Sequence, residues 1–305
     1  MKQVYHVPYR HYVSIKNSGL GFKNMITKEE YCLPFSKVGV LVFDSQDSYV
    51  SIQAIIACKE QEIKLLFSNH RYAPVSQVRG EQGIKECLAL LQEQYRLPKK
   101  LRSRMWQKIV KQKINNQQFC LSEVKGISSS QTQRRLADQK QRVALGDSNN
   151  REALTTRLYF IELFGTDFKR GRYDDIVNSA LNYGYALLRS AIREELAIHG
   201  FDQSLGIHHG SAENPYNLSD DLIEVFRPFI DRQVYRLVHS SNCSELDTNA
   251  KNKLRETLLL PCHIDGKCCS LQEGITFLVT SLRTCYSTAS VTSLVLPDMI
   301  FMKSH

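Results

Sequence analysis

Carboxylates and two adjacent histidines are concentrated in residues 206–228, GIHHGSAENPYNLSDDLIEVFRP. If the second half of this segment is a helix, Asp221 and Asp220 lie three and four residues before Glu224, and these side chains can point into one small volume. Carboxylates beside an apolar helix face are costly unless their charge is compensated. A metal ion, a metal-bound phosphate or a basic partner such as Arg227 would each compensate it, so the segment is a candidate for metal-dependent chemistry.

Simpler interpretations exist for several of the acids. The helix dipole favours an acid in a first turn, and Asp220 fits this interpretation with Ser219 as the helix cap. Glu152 lies near the start of another predicted helix, where Asn149 would be the cap. Spacing alone does not connect Glu152 with His209. One histidine and two carboxylates nevertheless suit Mg²⁺ or Mn²⁺, and such ions support phosphoryl transfer by activating an oxygen nucleophile.

Positive charge is concentrated in residues 99–145. The chain of 305 residues has a formal net charge of +9, and this stretch alone holds twelve Lys and Arg against two acidic residues. Such clustering is typical of proteins that bind polyanions, although a solvated helix face on a basic protein gives the same composition. The residues expected to contact DNA phosphates without reading base sequence are Lys99, Lys100, Arg102, Arg104, Lys108 and Lys111.

The elements that must position these residues divide the chain into two parts. Short β-branched runs and one helix predict a β-rich start, and Pro74 and Gly80 then interrupt the pattern. Helical periodicity dominates the remainder. We therefore predict an α+β protein of two domains, with a small N-terminal β-rich domain over 1–75, a linker over 76–84 and a larger, mostly α-helical catalytic domain over 85–305.

Buried faces can be predicted for individual helices. A helix capped by Ser51 should pack through Ile52, Ile55 and Ile56. Pro228 should bend or interrupt the helix that follows residue 219. The clearest buried face consists of two adjacent apolar ridges with basic residues on the other side: Leu101, Met105 and Ile109, and Trp106, Val110 and Ile114.

Composition excludes several classes of protein. The longest apolar run, residues 38–43, is too short to cross a bilayer, and the start does not resemble a signal peptide. We therefore expect a cytoplasmic protein whose nine cysteines are reduced. Cysteines near residue 265 do not fit a common zinc template, and they flank an Asp-Gly pair that favours a β-hairpin.

Three ordered segments carry a family resemblance. REALTTRLYFIELFG, ALNYGYALLRSAI followed by HGFDQSLGIHH, and NPYNLSDDLIEVFRPFID strongly resemble the CRISPR-associated spacer integrase, also called the adaptation endonuclease, in its type II form. The similarity runs from about Trp106 to the end, and the strand-rich start is compatible with the family's N-terminal β domain. Ala153 and Val225 stand where the wider family often has Gly and Pro, but neither departure removes a ligand.

The resemblance implies a metal site formed by one histidine and two acids. Carried over by motif, the ligands of Mg²⁺ or Mn²⁺ are Glu152, His209 and Glu224. Asp221 matches an acid that supports the site in relatives. Because His208 directly precedes His209, the resemblance leaves open which of the two rings binds the metal.

The implied function is that of a metal-dependent DNA endonuclease and integrase of CRISPR adaptation. Such an enzyme inserts new spacer DNA into the array by attack of a DNA 3′-hydroxyl on a phosphodiester. The implied partners are double-stranded DNA, a second copy bound through the N-terminal domain, and a small ferredoxin-like CRISPR-associated dimer that completes a heterohexamer. The type II effector nuclease and a DNA-end-binding ring protein are further implied partners in a prokaryotic cytoplasm, with no membrane involved. Two alternatives are a nuclease of branched DNA or RNA that acts alone, and a non-catalytic DNA-binding scaffold.

Overall fold

The computed structural model describes residues 3–61, 63–68, 74–78, 84–126, 131–171, 173, 175–240 and 245–301. The chain forms two compact units, one of Met1–Leu91 with Leu196–Phe201 and one of residues 92–195 with 202–305. The first is rich in strands and the second is mostly helical, which confirms the predicted α+β class. No described helix is both long enough and apolar enough to span a bilayer.

The strand-rich unit contains two four-stranded sheets. Their strand orders are β1-β5-β7-β8 and β4-β3-β2-β6. Strand β5 runs parallel to β1 and β7, and β8 runs antiparallel to β7. The elements are β1 (Gln3–Val7), β2 (His11–Lys16), β3 (Gly19–Asn24), β4 (Glu30–Pro34), β5 (Val38–Phe43), β6 (Tyr49–Val50), α1 (Ile52–Glu60), β7 (Lys64–Ser68), β8 (Pro74–Val78) and α2 (Ile84–Arg96).

Helix α1 confirms the predicted cap but only one residue of the predicted buried face, Ile55, which packs against the core. The Ser51 hydroxyl accepts a hydrogen bond from the Ala54 amide at 3.2 Å. The buried stripe runs through Ala54 and Cys58, whereas Ile52 and Ile56 are 76% and 50% exposed. Small residues on the stripe let the helix lie close to its sheet, and the two isoleucines then fall on the outer side.

Strand β8 corrects the predicted linker. Residues 76–78 were predicted to begin the linker, but they lie in β8 and pair with β7. Proline is tolerated here because Pro74 is the first residue of a strand at the edge of its sheet, where a missing amide donor breaks no ladder. The following residues of the predicted linker, 79–83, lie outside the described residues.

The larger unit is organised around one long helix, α3. Helix α3 contacts α4, α5 and α8, and all six apolar residues predicted to form its buried face are buried. The elements of this unit are α3 (Lys99–Lys125), α4 (Gln131–Gln141), α5 (Arg151–Phe164), α6 (Ile176–Ile198), α7 (Asn217–Leu222), α8 (Arg227–Ser240), α9 (Thr248–Arg255), β9 (Pro261–Ile264), β10 (Lys267–Ser270), α10 (Leu271–Thr288) and β11 (Asp298–Met299).

The end of the described chain forms a small sheet against α3. Strands β9 and β10 form the predicted hairpin, whose turn residues Asp265 and Gly266 both have positive φ. Strand β11 pairs with the other edge of β9. Asn116 of α3 holds this segment by donating to the Pro297 carbonyl at 2.9 Å and accepting from the Met299 amide at 3.2 Å.

Candidate active site

Two glutamates from distant parts of the sequence converge on one buried lysine. The Lys113 Nζ atom of α3 lies 2.5 Å from Oε1 of Glu152 and 2.5 Å from Oε2 of Glu224. The side chains of Lys113 and Glu224 are 4% and 7% exposed, and that of Glu152 is 29% exposed. Helix α5 supplies Glu152, and the 3₁₀ turn Ile223–Val225 supplies Glu224. The fold thus joins the two acids that spacing alone does not connect.

Glu224 has a second cationic partner. The Arg227 Nε atom lies 2.9 Å from Oε1 of Glu224, so the basic partner considered from the sequence is present. Burial by itself raises the pKa of Glu224, but Arg227 and Lys113 outweigh burial and hold the pKa below its ordinary value. Burial likewise lowers the pKa of Lys113, yet Glu224 and Glu152 outweigh it and raise the pKa. Glu224 also raises the pKa of Arg227, so Glu224, Lys113 and Arg227 are charged at neutral pH.

The start of helix α5, which carries Glu152, is fixed by a carboxylate cap. Asp147 accepts hydrogen bonds from the backbone amides of Arg151 at 2.8 Å and Glu152 at 3.0 Å. Asn149 was expected to be this cap, and that expectation is wrong. Gly146 and Asp147 both have positive φ, so the chain turns back and places the Asp147 carboxylate against the helix start.

Asp221 organises the histidine loop. Its fully buried carboxylate accepts from the amides of Ile207 at 2.6 Å, His208 at 3.0 Å and His209 at 3.1 Å. It also accepts from Nδ1 of the His209 ring at 2.7 Å. Because a carboxylate only accepts, Nδ1 carries the proton and Nε2 is the nitrogen available to a ligand. Hydrogen bonding to Asp221 raises the pKa of His209.

Glycine is required where this loop begins. A Cβ atom on Gly206 would lie 2.9 Å from Oδ2 of Asp221 and closer still to the His209 carbonyl. A larger residue would therefore push apart the carboxylate and the loop that it organises.

The two histidines have different environments. The His208 ring stacks flat on the buried Trp106, with ring centroids 4.3 Å apart and planes 1° apart. The His209 ring meets Trp106 edge-on at 5.8 Å. His208 is thus held by stacking, while His209 is oriented by a buried carboxylate in the way that metal-binding histidines usually are. The geometry favours His209 as the ligand.

The predicted continuous helix around Asp220 is in fact divided. Helix α7 begins at Asn217, so Ser219 lies inside it and donates to the Tyr216 carbonyl at 3.0 Å instead of capping it. The 3₁₀ turn that follows changes the direction of the side chains, and Asp220 therefore pairs with Arg189 at 2.9 Å rather than sharing a volume with Glu224. The predicted interruption at Pro228 is confirmed, since this proline lies in the first turn of α8.

Comparison with known proteins decides the family. The family model for CRISPR associated protein Cas1 matches residues 4–260. The chain is also 31% identical over 278 residues to the CRISPR-associated endonuclease Cas1 of Neisseria meningitidis serogroup C (strain 8013), covering 91% of this chain and 90% of that protein. This chain belongs to the Cas1 family. The resemblance inferred from the three sequence segments is confirmed.

Solved structures share the Cas1 fold over nearly the whole chain. A chain of a partial Cas6-RT-Cas1–Cas2 complex has a TM-score of 0.70 at 17% identity, covering 96% of this chain and 98% of that one. A casposase bound to integration product has a TM-score of 0.67 at 17% identity, covering 95% of this chain and 96% of that one. At such low identity these likenesses support the fold alone.

The donor set of this Cas1 protein fits a divalent cation. Among the described residues, no three His, Cys, Asp or Glu side chains are arranged so as to hold a metal ion, and an ammonium lies between the two glutamates. The chemistry of the residues nevertheless fits Mg²⁺ or Mn²⁺, because two carboxylates already converge on one cation. The Glu224 carboxylate also acts electrostatically on His209.

The basic residues predicted to bind DNA differ in their availability. Lys99, Lys100 and Arg104 are exposed. Arg102 donates to the Gln94 carbonyl at 2.9 Å, and Lys108 donates to the Leu294 carbonyl. Both of these side chains therefore also hold the chain together, and burial lowers the pKa of Lys108.

A basic cavity lies along the same face of α3 and α4. Its volume is about 690 Å³, and its charged lining consists of Arg104, Lys108, Lys111 and Lys140. Lys140, which was not among the residues predicted to bind DNA, donates to Asn115 at 2.9 Å. A cavity with this lining can accept a phosphate backbone.

Two residues that shape the site, Lys113 and Asp147, were not predicted from the sequence, although the position of each carries a signal. Lys113 lies four residues after Ile109 and seven after Trp106, so it falls on an apolar ridge where a lysine needs an anionic partner. Asp147 follows a glycine and precedes the helix by four residues, which is a capping position when the chain turns back.

Proposed function

We propose that this Cas1 protein is a metal-dependent DNA endonuclease and integrase of CRISPR adaptation, of the type II form. The observation that carries the proposal is the convergence of Glu152 and Glu224 on one cation beside a histidine oriented by Asp221. The names of the similar proteins agree with it, since they include a Cas1 endonuclease, a Cas1–Cas2 complex and a casposase bound to integration product.

The residues of the site have distinct roles in the proposed mechanism. Glu152, Glu224 and Nε2 of His209 would hold Mg²⁺ or Mn²⁺, which would lower the pKa of the attacking oxygen and stabilise charge on the phosphate. Asp221 keeps the proton of His209 on Nδ1. Arg227 holds the second oxygen of Glu224 and keeps that carboxylate ionised. The bond formed joins the donor 3′-oxygen to phosphorus, and the bond broken releases the 3′-oxygen of the attacked strand, so no covalent intermediate with the protein is needed.

DNA binding is proposed for the basic face of α3 and α4. The exposed Lys99, Lys100 and Arg104, together with the cavity that holds Lys111 and Lys140, offer positive charge without an acidic lining residue. Contacts of this type bind phosphates regardless of base sequence, which suits a protein that accepts many different spacers.

Assembly is proposed to involve the N-terminal unit. Ile52 and Ile56 leave an apolar patch exposed beside Tyr49, which is 52% exposed, and a second copy of the chain would cover it. Ile52→Glu should convert a dimer into monomers in analytical ultracentrifugation, and an unchanged dimer would exclude this face. The small ferredoxin-like Cas2 dimer is proposed as the partner in a heterohexamer. Contacts with the type II effector nuclease and a DNA-end-binding ring protein stay predictions, as does the cytoplasmic location.

A strand-transfer assay tests the proposed activity against its alternatives. Purified protein and Cas2 partner are given Mn²⁺, an array duplex and a donor with either a free or a blocked 3′-hydroxyl. Integration requires the free 3′-hydroxyl. Cleavage by a nuclease that acts alone continues when the 3′-hydroxyl is blocked, and a non-catalytic scaffold gives no metal-dependent product.

Single substitutions assign the ligands in the same assay. Glu152→Gln, His209→Ala and Glu224→Gln should each abolish transfer while circular dichroism stays unchanged, and His208→Ala is the matched control. If His208→Ala abolishes transfer and His209→Ala does not, the histidine assignment is wrong.

A further inference from the structure

The ammonium of Lys113 lies where two proposed metal ligands meet. It is 2.5 Å from one carboxylate oxygen of Glu152 and 2.5 Å from one of Glu224, so these oxygens are no more than twice that distance apart. The lysine is almost completely buried, and its stem lies on the packed face of α3. A cation is thus built into the site by the chain itself.

The ammonium of Lys113 and a metal ion would use the same carboxylate oxygens. Mg²⁺ binds oxygen at roughly 2.0–2.1 Å, which is only a few tenths of an ångström shorter than the ammonium contacts of Lys113. A divalent ion that used the same oxygens of Glu152 and Glu224 would compete with the ammonium for them.

Charge leads to the same conclusion. The positive charges of Lys113 and Arg227 balance the negative charges of Glu152 and Glu224. A divalent ion added to this balanced group would leave two excess positive charges in a largely buried place, where like charges repel strongly. Displacement of the ammonium removes one of them.

The geometry also identifies which cation can leave. Arg227 binds Oε1 of Glu224 and Lys113 binds Oε2, so Arg227 can stay in place when Oε2 turns to a metal. Arg227 also lies over the ring of Tyr185, with its guanidinium carbon 4.8 Å from the ring centre. The ammonium of Lys113 is carried on a flexible four-carbon stem, so it is the cation that we expect to move.

We propose that Lys113 is a built-in counter-ion of the active site, which occupies the metal position until a divalent cation displaces its ammonium. The inference rests on the proposed metal site. It means that the two glutamates stay compensated without metal, and that metal affinity is reduced by competition within the protein.

Direct measurement of Mn²⁺ binding tests the competition without reference to catalysis. Free Mn²⁺ is followed by electron paramagnetic resonance during titration of the full chain in the absence of DNA. Lys113→Met should bind Mn²⁺ with a Kd at least about tenfold lower than that of the wild type, since the competing charge is gone. Lys125→Met is the matched control, because it removes the same charge from an exposed position on the same helix and should leave the Kd unchanged.

Thermal unfolding supplies a second readout. In EDTA, Lys113→Met should melt below the wild type because Glu152 and Glu224 lose their shared partner, and Mn²⁺ should raise its Tm more than that of the wild type. Lys113→Gln is a neutral alternative if the methionine variant does not fold. An equal or weaker affinity for Mn²⁺ in these variants would overturn the proposal and make Lys113 a purely structural residue.

His209→Ala separates this proposal from the metal site on which it rests. Suppose that the wild type binds Mn²⁺, that His209→Ala does not, and that Lys113→Met binds Mn²⁺ no more tightly than the wild type. The proposed metal site is then supported and the competition by Lys113 is refuted. If neither the wild type nor Lys113→Met binds Mn²⁺, or if His209→Ala changes nothing, the proposed metal site fails and the competition fails with it.

Discussion

Asp221→Asn should weaken the hydrogen bonds that hold the histidine loop. Asparagine keeps the shape of aspartate but replaces one acceptor oxygen with an NH₂ donor. Oδ2 of Asp221 accepts from the amides of Ile207 and His208, and Oδ1 accepts from the amide and the ring of His209. Whichever of the two oxygens is replaced, its two hydrogen-bond donors then face the NH₂ group, which is itself a donor.

The expected loss of stability follows from this count. A hydrogen bond to a charged group contributes at least about 1.5 kcal/mol, so two lost bonds should lower the free energy of unfolding by about 3 kcal/mol. If the NH₂ group faces His209, the ring must accept through Nδ1 and Nε2 then carries the proton. Nε2 can no longer bind metal in that tautomer, and loss of such an orienting partner typically weakens metal affinity about 10- to 100-fold.

Urea unfolding and Mn²⁺ titration measure the two effects separately. Asp220→Asn is the matched control, because Asp220 neighbours Asp221 but binds Arg189 and Asn214. It should change stability by less than about 1 kcal/mol, as expected for a partly exposed ion pair. Equal losses of stability in Asp221→Asn and Asp220→Asn would refute the expected cost of the lost hydrogen bonds. Unchanged Mn²⁺ affinity in Asp221→Asn would show that its NH₂ group faces Ile207 and His208 and not the His209 ring.

Three further predictions concern the surroundings of the site. Burial raises the pKa of Asp231, which accepts from two tyrosine hydroxyls, to about 6. The folded state therefore binds this proton more tightly than the unfolded state, so the free energy of unfolding should fall as pH rises from about 4 to 6. Asp231→Asn should flatten this pH dependence in urea unfolding at several pH values. Asp147→Ala removes the carboxylate cap of α5 and should cost about 1–2 kcal/mol in the same assay, whereas a change below about 0.5 kcal/mol would contradict the capping role. Lys100→Ala combined with Arg104→Ala should reduce the slope of log K for DNA against log salt by nearly 2 if each contacts one phosphate, while Lys125→Ala should leave the slope unchanged.

Regular patterns and ordered motifs made much of the molecule predictable. The two apolar ridges of α3 were predicted because a helix buries residues at fixed spacing, and every ridge residue is buried. The division into a β-rich and a helical part was predictable because apolar residues recur at different spacings in strands and in helices. Ile52 and Ile56 show the limit, since hydrophobicity predicts that a residue can be buried but not which side of a short helix faces its sheet.

The arrangement of the site required the fold. Glu152 and Glu224 are joined only when α5 and the 3₁₀ turn Ile223–Val225 both pack against α3, and no local spacing encodes this meeting. The division of the helix after Asp220 also depends on tertiary contacts. Asn116 donates to the Val225 carbonyl at 2.9 Å and thereby holds the last residue of that turn. A continuous helix would direct that carbonyl along its own axis instead.

Each proposed ligand is fixed by a different neighbour, and this explains why the site tolerates a removable cation. Asp221 holds His209, Asp147 holds the backbone of Glu152, and Arg227 holds the second oxygen of Glu224. These contacts do not involve the ammonium of Lys113, so they persist when it withdraws. A site whose ligands were positioned only by the lysine would collapse on its departure, whereas this one presents the same carboxylates to whichever cation is bound.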